Sequence, residues 1–565
     1  MQSILGSINN LSKTNKLILA AFAFLAVLAF GSGRAHAATL AVDVNCTLND
    51  AIRVTNEGTN GYGCVKTGAA YGTNDTINIP AGTVTLTENM NSFTSGADII
   101  VQGAGKSSTI IDANGFRGFT ANAANTIDKT LNGFKIIDAS PYAIDINAAH
   151  DIIIDDVEVE NSGFGIRIEA VHITVTNSNI HDNVATGNSV GLYLIANAVN
   201  STDDISITVT DSQVNNNSGA EVDEVAGLYV EANSATAASL ALTIERTTVM
   251  DNHSIGDAGA RVEYKQNSAL ADIRIDAVTV AGNISQPTQA SSSGNPFQPA
   301  YVTGFNLGVA NINPGLNLTN VTVVNNQAIN EFDNHASVSG FFGLLINAPE
   351  KINFTNSTVV GNSVTQTTPS PFGSIPAFFI IGATLDGNSQ PINAESGGSA
   401  QNSLIAHNTF NGNSYSCRSD FDGSALGLSG SYDLTPENLG NNMADDPKCT
   451  DYTIVPNLYD TIEHEVADNG GPVPTIKLLP GSPAINAGGQ VLGITTDARG
   501  VARTGYYSVG AYQGVLGDQT QNPSSTGTAA APDTGLSPTP VLNGVIAMIS
   551  GFSMLIFIAK QYAKE

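Results

Sequence analysis

The sequence has no tryptophan, only four cysteines and few basic residues, and each shortage narrows its interpretation. It contains 22 lysines and arginines against 50 aspartates and glutamates, which gives a formal net charge of −28 at pH 7. That excess of negative charge repels phosphate backbones, so nucleic acid is not expected as a partner. Aromatic residues make up only 6% of the chain, which suits a narrow interior lined by small aliphatic side chains.

Long apolar runs are missing from the middle of the chain and occur only near its two ends. Near the N-terminus, Lys13 and Lys16 precede the apolar stretch 17–30, and "GSGRAHAA" follows it. A basic flank, a short apolar core and a small-residue site are the three parts of a secretory signal peptide. We therefore expect residues 1–37 to be removed by cleavage between Ala37 and Ala38. A retained membrane anchor is the alternative.

The second apolar run, Val541 to Ala559, carries no charge and is followed by Lys560 and Lys564. A run of this length can cross the hydrocarbon layer of a membrane as a helix. The lysines behind it agree with a cytoplasmic tail at 560–565. These features predict a protein that is exported and displayed at the cell surface.

A short motif precedes the apolar run and follows a polar stretch typical of a flexible linker. The order of motif, span and basic tail resembles the bacterial cell-wall sorting signal read by sortases, L-P-x-T-G, with Ala531 at the leucine position. The motif residues are Pro532, Asp533, Thr534 and Gly535. Cleavage after Thr534 would join the protein to the cell wall. Without cleavage, 541–559 is a permanent single span, which is the interpretation we favour.

The four cysteines form two local pairs, one near each end of the exported part. Export permits disulfides, and of the three connectivities we favour Cys46–Cys64 with Cys417–Cys449, because each closes a short loop. A metal site is the rival interpretation. Neither pair has C-x-x-C spacing or a histidine partner, so no metal is expected there.

The middle of the chain repeats a strand pattern that ends in asparagine. "ITVTNSNIHDN", "ITVTDSQVNNN" and "LTIERTTVMDN" are three copies, and a second short strand around a glycine follows several of them. Apolar residues alternate and Val, Ile and Thr dominate, as in β-strands. The repeats end at Asn161, Asn183, Asn217, Asn252, Asn283, Asn326, Asn362 and Asn408.

No single repeat could bury its own apolar face, but stacked repeats could bury a continuous core. The pattern predicts an all-β protein, a right-handed parallel β-helix solenoid. The repeated asparagine is expected to mark a tight corner, because asparagine tolerates left-handed backbone geometry. Stacked asparagines could also form a ladder of side-chain hydrogen bonds.

The start of the exported part predicts a short capping helix over the first coil. Thr47 and Asp50 form a capping-box pattern, and Leu48, Ala51 and Ile52 then share one helical face. The predicted organisation is a signal peptide (1–37), an N-terminal cap with the first coils (38–115), the β-helix (116–410), C-terminal coils with a cap (411–516), a linker (517–540), a transmembrane helix (541–559) and a cytoplasmic tail (560–565).

Two stretches resemble known bacterial surface-protein domains. Cys46-Thr-Leu-Asn-Asp-Ala-Ile52, Asp75-Thr-Ile77 and "VQGAGKSSTIIDANG" resemble the CSLREA-type N-terminal domain, with Asn49 in place of its arginine. "DNGGPVPT", "LLPGSPAINAG" and "TDARGVAR" with "YYSVGAYQ" resemble the choice-of-anchor Q domain. These resemblances imply a secreted β-helix of the pectin-lyase type fixed to the envelope by its C-terminal part. They imply no defined activity.

The motifs that could carry catalysis are few. "GAGKSS" fails as a phosphate-binding loop, because Ile100 stands where the motif needs glycine and a strand-like stretch follows; no nucleotide is expected. A polysaccharide lyase, with Ca²⁺ held by carboxylates, or a glycoside hydrolase is the main enzymatic alternative. Its candidate catalytic residues are Asp151, Asp155, Asp156 and Arg167. Solvated acids on an outer face are the interpretation we favour, and otherwise no cofactor is expected.

The function we expect is therefore non-catalytic: adhesion to a host surface or glycan binding by a bacterial surface protein. Long solenoid faces bind extended ligands through repeated polar contacts. Aromatic residues that could stack on sugars are Tyr193, Tyr229, Tyr264, Phe297 and Phe305. A passive structural stalk or surface-layer component is the other alternative.

Overall fold

The computed structural model describes residues 38–72, 74–94, 98–121, 128–147, 150–185, 190–198, 203–220, 225–234, 239–266, 271–287, 301–310, 316–331, 337–347, 351–367, 378–385, 391–417, 421–422 and 429–515. The expected signal peptide, the linker with its PDTG motif, the span at 541–559 and the basic tail lie outside the described residues. Within the described residues, no helix is both long and apolar enough to cross a membrane.

The protein is nearly all-β, and most of its strands pair in parallel. The described strands are numbered β1 to β45 along the chain and fall into three large sheets and two small ones. The first sheet contains β1 (Ala38–Ala41), β2 (Thr67–Gly68), β3 (Asp75–Asn78), β4 (Gly82–Thr85), β5 (Ile99–Gln102), β6 (Thr109–Asp112), β8 (Lys129–Ile137), β10 (Asp151–Glu160), β12 (His172–Thr176), β13 (Asn179–His181), β16 (Asp204–Thr210), β17 (Gln213–Asn215), β20 (Ser239–Met250), β23 (Ala271–Ala281), β27 (Leu316–Thr319), β28 (Thr322–Val324), β32 (Ile352–Thr355), β33 (Thr358–Val360), β37 (Gly398–Gln401), β38 (Leu404–Ala406), β43 (Glu437–Asn438), β44 (Met443–Ala444) and β45 (Thr453–Ile454).

The other sheets contain fewer strands, and the chain enters them between its passes through the first sheet. The second sheet contains β7 (Phe119–Ala121), β9 (Tyr142–Asn147), β11 (Phe164–Ala170), β15 (Leu192–Asn197), β19 (Leu228–Ser234), β22 (Ala260–Gln266), β26 (Phe305–Ala310), β31 (Phe341–Ile346), β35 (Phe378–Leu385) and β36 (Pro391–Ser396). The third contains β14 (Val184–Ala185), β18 (Ser218–Gly219), β21 (His253–Ser254), β24 (Ile284–Ser285), β29 (Gln327–Asn330), β34 (Ser363–Gln366), β39 (Thr409–Phe410) and β40 (Asn413–Ser414). The small sheets pair β25 (Tyr301–Val302) with β30 (Ser337–Val338), and β41 (Phe421–Asp422) with β42 (Ser431–Tyr432).

From β11 onward the chain visits the second, first and third sheets in a recurring order. Each strand pairs with the equivalent strand of the next repeat, so inward side chains stack in columns. One such column in the first sheet runs Ile152, Ile173, Ile207, Leu242 and Ile273, all of them buried. Burying an aliphatic side chain of this size stabilises the fold by about 1.5–3 kcal/mol, so the columns hold successive repeats together.

The asparagines that end the repeats are buried and bonded to one another. From Asn183 to Asn362, each Nδ2 donates to Oδ1 of the next repeat's asparagine at 2.9–3.0 Å, and Asn408 is the last acceptor. Each backbone N–H donates to that same oxygen at 3.0–3.2 Å. We call this the asparagine ladder; its members are Asn183, Asn217, Asn252, Asn283, Asn326, Asn362 and Asn408.

The left-handed backbone expected at these asparagines lies one residue earlier in most repeats. Asp182, Asn216 and Asp251 have φ between 54° and 55°, whereas the ladder asparagines that follow them are not in this region. Only Asn161, with φ 50°, is itself left-handed. The corner therefore uses two residues: the first turns the chain, and the second turns its amide inward.

A short helix, α1 (Leu48–Glu57), packs on the first strands as the sequence predicts. Thr47 caps it by accepting a hydrogen bond from the backbone N–H of Asp50 at 3.1 Å. Leu48, Ala51 and Ile52 are buried. Asn49 is also buried, and its Nδ2 donates to Glu88 at 2.7 Å, which fixes the helix to the chain that follows β4. A single turn of 3₁₀ helix (Tyr459–Thr461) occurs later.

Residues 455–515, here the C-terminal segment, pack against the outer face of the first sheet. Val324 and Val360 face this segment, whereas their neighbours Val323 and Val359 face the interior. These strands are therefore apolar on both faces. Polar contacts join the same surfaces: Thr279 Oγ1 donates to the Pro474 carbonyl at 2.8 Å.

Candidate functional site

The structure separates the candidate catalytic residues. Asp151, Asp155 and Asp156 belong to β10 in the first sheet, whereas Arg167 belongs to β11 in the second. Arg167 instead faces Asp145, whose Oδ1 lies 3.8 Å from its Nη1. The proposed grouping of three aspartates with Arg167 is therefore not brought together.

Two of the three aspartates, Asp155 and Asp156, already have local partners. Asp155 Oδ1 accepts hydrogen bonds from Thr176 Oγ1 at 2.7 Å and from Asn177 Nδ2 at 2.9 Å. Asp156 has φ 52° at the bend of its strand and lies 3.5 Å from Lys106 Nζ. These contacts link different repeats and account for Asp155 and Asp156 without catalysis.

Among the expected aromatic residues, only two face outward in the described part of the chain. Tyr264 and Phe305 are buried in the interior, and Phe297 lies outside the described residues. Tyr193 and Tyr229 occupy equivalent positions on the outer face of the second sheet. Their rings stack with centroids 4.5 Å apart and planes 9° apart, so each ring covers one face of the other.

The two tyrosines belong to a column that continues in both directions. Parallel pairing aligns Arg167 with Tyr193, Tyr229 with Arg261, and Arg261 with Asn306. The Arg167 guanidinium lies 6.0 Å from the Tyr193 ring centroid. We call these five residues the outer column: Arg167, Tyr193, Tyr229, Arg261 and Asn306.

Arg261 of the outer column forms ion pairs with two acidic side chains, and a third acid lies in the preceding repeat. Its Nη1 lies 2.7 Å from Asp257 Oδ2, and its Nη2 lies 2.7 Å from Glu263 Oε1. Glu231, aligned with Glu263 in the preceding repeat, accepts a hydrogen bond from the Tyr229 hydroxyl. Asp257, Glu263 and Glu231 are only 4%, 6% and 9% exposed.

Burial and charge set the protonation states in this group. Burial raises the pKa of Asp257, and the opposing effect of Arg261 is smaller. Burial would lower the pKa of Arg261, but the carboxylates of Asp257 and Glu263 outweigh it and the net pKa is raised. Burial raises the pKa of Tyr229, and the charges of Glu263 and Glu231 add to that increase. Tyr229 is therefore a neutral hydrogen-bond donor at physiological pH.

The last residue of the outer column, Asn306, has a side-chain oxygen that accepts no hydrogen bond in the described structure. It is 3% exposed, and its Oδ1 has no hydrogen-bond partner in the described structure. Buried polar atoms are normally paired. Asn306 therefore places an unpaired and buried amide oxygen at the position aligned with Arg261.

Two further groups of charged residues lie on the first sheet. In the lysine cluster, Lys135 Nζ contacts Glu158 and lies 2.8 Å from Glu160 Oε2, and His181 Nε2 lies 3.2 Å from Glu158 Oε1. In the edge cluster, which comprises Asp128, His150, Asp151 and His172, His150 Nδ1 lies 2.8 Å from Asp128 Oδ1 and 3.7 Å from Asp151 Oδ1. His172 Nε2 lies 4.0 Å from Asp151 Oδ1.

The cysteines are paired as the sequence predicts. One disulfide joins Cys46 to Cys64 beside α1, and the other joins Cys417 to Cys449. All four are buried and oxidised. They therefore stabilise loops and are not available for metal binding.

Sequence reasoning found Tyr193 and Tyr229 but missed the acids around Arg261. Asp257, Glu263 and Glu231 come from two repeats, and only the strand register shows that they meet. The signal that could have found them is the repeated outward position after each glycine, in "GLYLIA", "GLYVEA" and "GARVEY". No protein-family model matches the chain, and no curated protein matches it.

Proposed function

We propose that this chain is a non-catalytic cell-surface protein, built as a right-handed parallel β-helix, that binds a glycan through the outer column of its second sheet. The recurring order of the three parallel sheets and the asparagine ladder support the β-helix. The proposed location is outside the cell, held either by a retained helix at 541–559 or by a sortase linkage at Thr534. Mass analysis of the mature C-terminus distinguishes the two anchors: a chain that ends at Thr534 excludes the permanent span.

The observation that carries the binding proposal is the set of hydrogen-bonding side chains at the centre of the outer column. Guanidinium, carboxylate, phenol and amide groups lie together there, and the Asn306 oxygen has no donor. Sugar hydroxyls can both donate to and accept from such groups. Because parallel strands repeat every ~4.8 Å, the face suits a chain-like ligand.

The tyrosines act differently from the stacking platforms expected from the sequence. Tyr193 and Tyr229 cover each other's faces, and Arg167 lies on the side of Tyr193 that is away from Tyr229. A sugar ring would therefore meet hydroxyls, ring edges and charged groups. The negative charge of the chain as a whole disfavours acidic polysaccharides, so neutral glycans are the proposed ligands.

The test is a glycan array with the purified protein, followed by calorimetric titration of the best neutral glycan. The variant combines Arg167→Ala with Asn306→Ala, because neither change breaks the ion pairs of Arg261. We expect at least a tenfold weaker affinity, about 1.4 kcal/mol. The matched control is Asn317→Ala, at an exposed position of the first sheet, which should bind like the wild type. Absence of any glycan binding would favour a passive stalk.

A second candidate is a polysaccharide lyase or hydrolase of the pectin-lyase type, with Ca²⁺ in the lyase case. The observation in its favour is that Arg261 contacts two carboxylates, those of Asp257 and Glu263, and that Glu231 of the preceding repeat is aligned with Glu263. Against it, Arg261 already binds two of them, whereas a hydrolase needs one free carboxylate and one acid. Incubation with neutral and uronic-acid polymers, with and without Ca²⁺, tests it: new reducing ends or unsaturated products would establish catalysis.

A further inference from the structure

We propose that the edge cluster binds one divalent transition-metal ion, with zinc as the ion that its ligands suit best. The ligands are Asp128, His150, Asp151 and His172. This site lies on the first sheet, and the proposal does not depend on glycan binding at the second.

Parallel stacking brings these residues together from three consecutive repeats. Asp151 pairs directly with His172 of the next repeat. Lys129, which follows Asp128, pairs with Ile152, which follows Asp151. Asp128, Asp151 and His172 therefore share one edge of the sheet, and His150 joins them from the residue before β10. The ligand atoms of Asp128, His150 and Asp151 all lie within 4.8 Å of one another.

The separations fit ligands that share one ion, and the shortest of them, from His150 Nδ1 to Asp128 Oδ1, is a direct hydrogen bond in the structure. Zinc bonds of about 2.0–2.1 Å in a tetrahedron place ligand atoms roughly 3.3 Å apart. The distances from His150 Nδ1 to the two carboxylates, 2.8 and 3.7 Å, lie on either side of that value, and His172 Nε2 lies 4.0 Å from Asp151 Oδ1. The last two are too long for hydrogen bonds. Asp128, His150 and Asp151 already form a compact group, and His172 would complete the set by moving closer to it.

Two independent features point to a ligand at this position. Asp151 Oδ1 is buried and accepts no hydrogen bond in the described structure, although it faces both imidazoles. His172 is oriented from outside the cluster, because its Nδ1 lies 3.0 Å from Ser206 Oγ of the following repeat. That contact leaves Nε2 directed at Asp151, as in metal sites where a second group holds the ligating histidine.

The charge balance distinguishes this cluster from the lysine cluster. There, Lys135 already supplies a cation between Glu158 and Glu160. In the edge cluster, the described ion pairs of Asp128 and Asp151 are with histidines, while the buried Lys129 interacts electrostatically with Asp128 from the neighbouring position. Two neighbouring carboxylates repel each other unless a cation lies between them. Imidazole ligands favour zinc and similar ions over calcium, which prefers oxygen.

The test is calorimetric titration of the chelator-treated full-length protein with Zn²⁺. We expect one equivalent to bind, and His150→Ala with His172→Ala to weaken it at least about 100-fold. Ser206→Ala should weaken it about tenfold, since it only orients His172. His181→Ala, in the lysine cluster, is the matched control and should leave binding unchanged.

Co²⁺ provides a second readout, because side chains that only stabilise the fold would not produce the absorption of a metal complex. Binding of Co²⁺ by the wild type should produce the visible absorption of a tetrahedral complex, and the double variant should lack it while keeping the wild-type circular dichroism. Absence of Zn²⁺ binding by the wild type would overturn the proposal. Binding that survives in the double variant would overturn it equally.

Discussion

At the scale of single residues, the ladder asparagines show why one side chain recurs. Asn252, for example, accepts two hydrogen bonds at Oδ1 and donates two from Nδ2 while fully buried. Aspartate lacks the donors, and serine offers only one. The ladder therefore requires an amide, and glutamine would extend one methylene too far into a packed interior.

Asn252→Ala should destabilise the protein by roughly 2–5 kcal/mol, because the buried N–H groups of Asn217 lose an acceptor, and the Val214 carbonyl and Asn283 Oδ1 each lose a donor. Urea denaturation followed by circular dichroism measures this loss. Asn317→Ala removes an exposed amide and should change the free energy of unfolding by less than about 0.5 kcal/mol. Equal effects of the two variants would contradict a special role for the ladder.

The pair of Asp211 and Arg246 gives a pH dependence whose sign can be worked out. Arg246 donates from Nε and Nη2 to the two oxygens of Asp211, both at 2.7 Å, and these hydrogen bonds lower the pKa of Asp211. A carboxyl with a lowered folded-state pKa stabilises the fold above its unfolded-state pKa of about 3.9. That contribution is lost as the pH falls through the lower folded-state value.

We therefore expect Asp211→Asn to lower the urea midpoint more at pH 6 than at pH 2. Asparagine tolerates the left-handed backbone of this position, where φ is 52°, so the substitution tests charge rather than geometry. Asp272→Asn, at an exposed position, should show no such dependence. A midpoint difference for Asp211→Asn that is the same at both pH values would refute the assignment.

At the scale of elements, a column of glycines allows adjacent turns to pack closely at the start of the strands of the second sheet. At each of these positions an added Cβ would lie 2.0–2.5 Å from a carbonyl oxygen of the next repeat. The members of the column are Gly165, Gly191, Gly227, Gly259 and Gly304. Glycine is required at these positions because the backbones of adjacent turns approach each other closely. This close approach explains the glycine before each short strand of the repeat.

Gly259→Ala should destabilise the protein by at least about 2 kcal/mol, because the new Cβ would lie 2.1 Å from the Thr303 carbonyl oxygen. Gly308→Ala is the matched control within the same sheet, since its Cβ would meet nothing closer than 4.0 Å. Thermal unfolding of the two variants checks the contrast. A Gly308 variant as unstable as the Gly259 variant would show that the clash is not the cause.

The strands and α1 could be predicted because their signals are local. Alternating Ile and Val residues mark each strand, and Thr47 with Asp50 marks the helix start. The site could be predicted only in part, since Tyr229 and Glu263 meet through register between repeats. Arg167 follows Asp156 closely along the chain, and only the structure shows that the next strand, which carries Arg167, lies in another sheet.

At the scale of the whole molecule, a buried arginine holds the loop of the C-terminal segment whose Ala511 bonds to Thr358 of the first sheet. Arg503 is 3% exposed and donates to the carbonyls of Gly510, at 2.7 Å, and Ser508, at 3.1 Å. It also reaches Asn320 of the sheet at 3.4 Å. Repeats that are distant along the chain, at Thr279 and Asn402, contact the same segment. The segment thus ties several repeats together from outside.

Arg503→Met should loosen the C-terminal segment, because the Gly510 and Ser508 carbonyls lose their donor. We expect limited proteolysis to cut within 455–515 at least about ten times faster than in the wild type, while the repeated strands stay intact. Arg274→Met, at a side chain that is 63% exposed, should leave the cleavage rate unchanged. First cleavage in the repeated strands of the Arg503 variant would contradict the proposed attachment.

The asparagine ladder has a consequence for insertions and deletions. Neighbouring ladder residues are separated by 31 residues in one step and by 46 in another, yet the amide hydrogen bond is 3.0 Å in the first and 2.9 Å in the second. The free-energy cost of closing a longer loop rises only slowly with its length. Chain can therefore be gained or lost between repeats without resetting the register above or below, so segments of different length can be exchanged from one repeat to another.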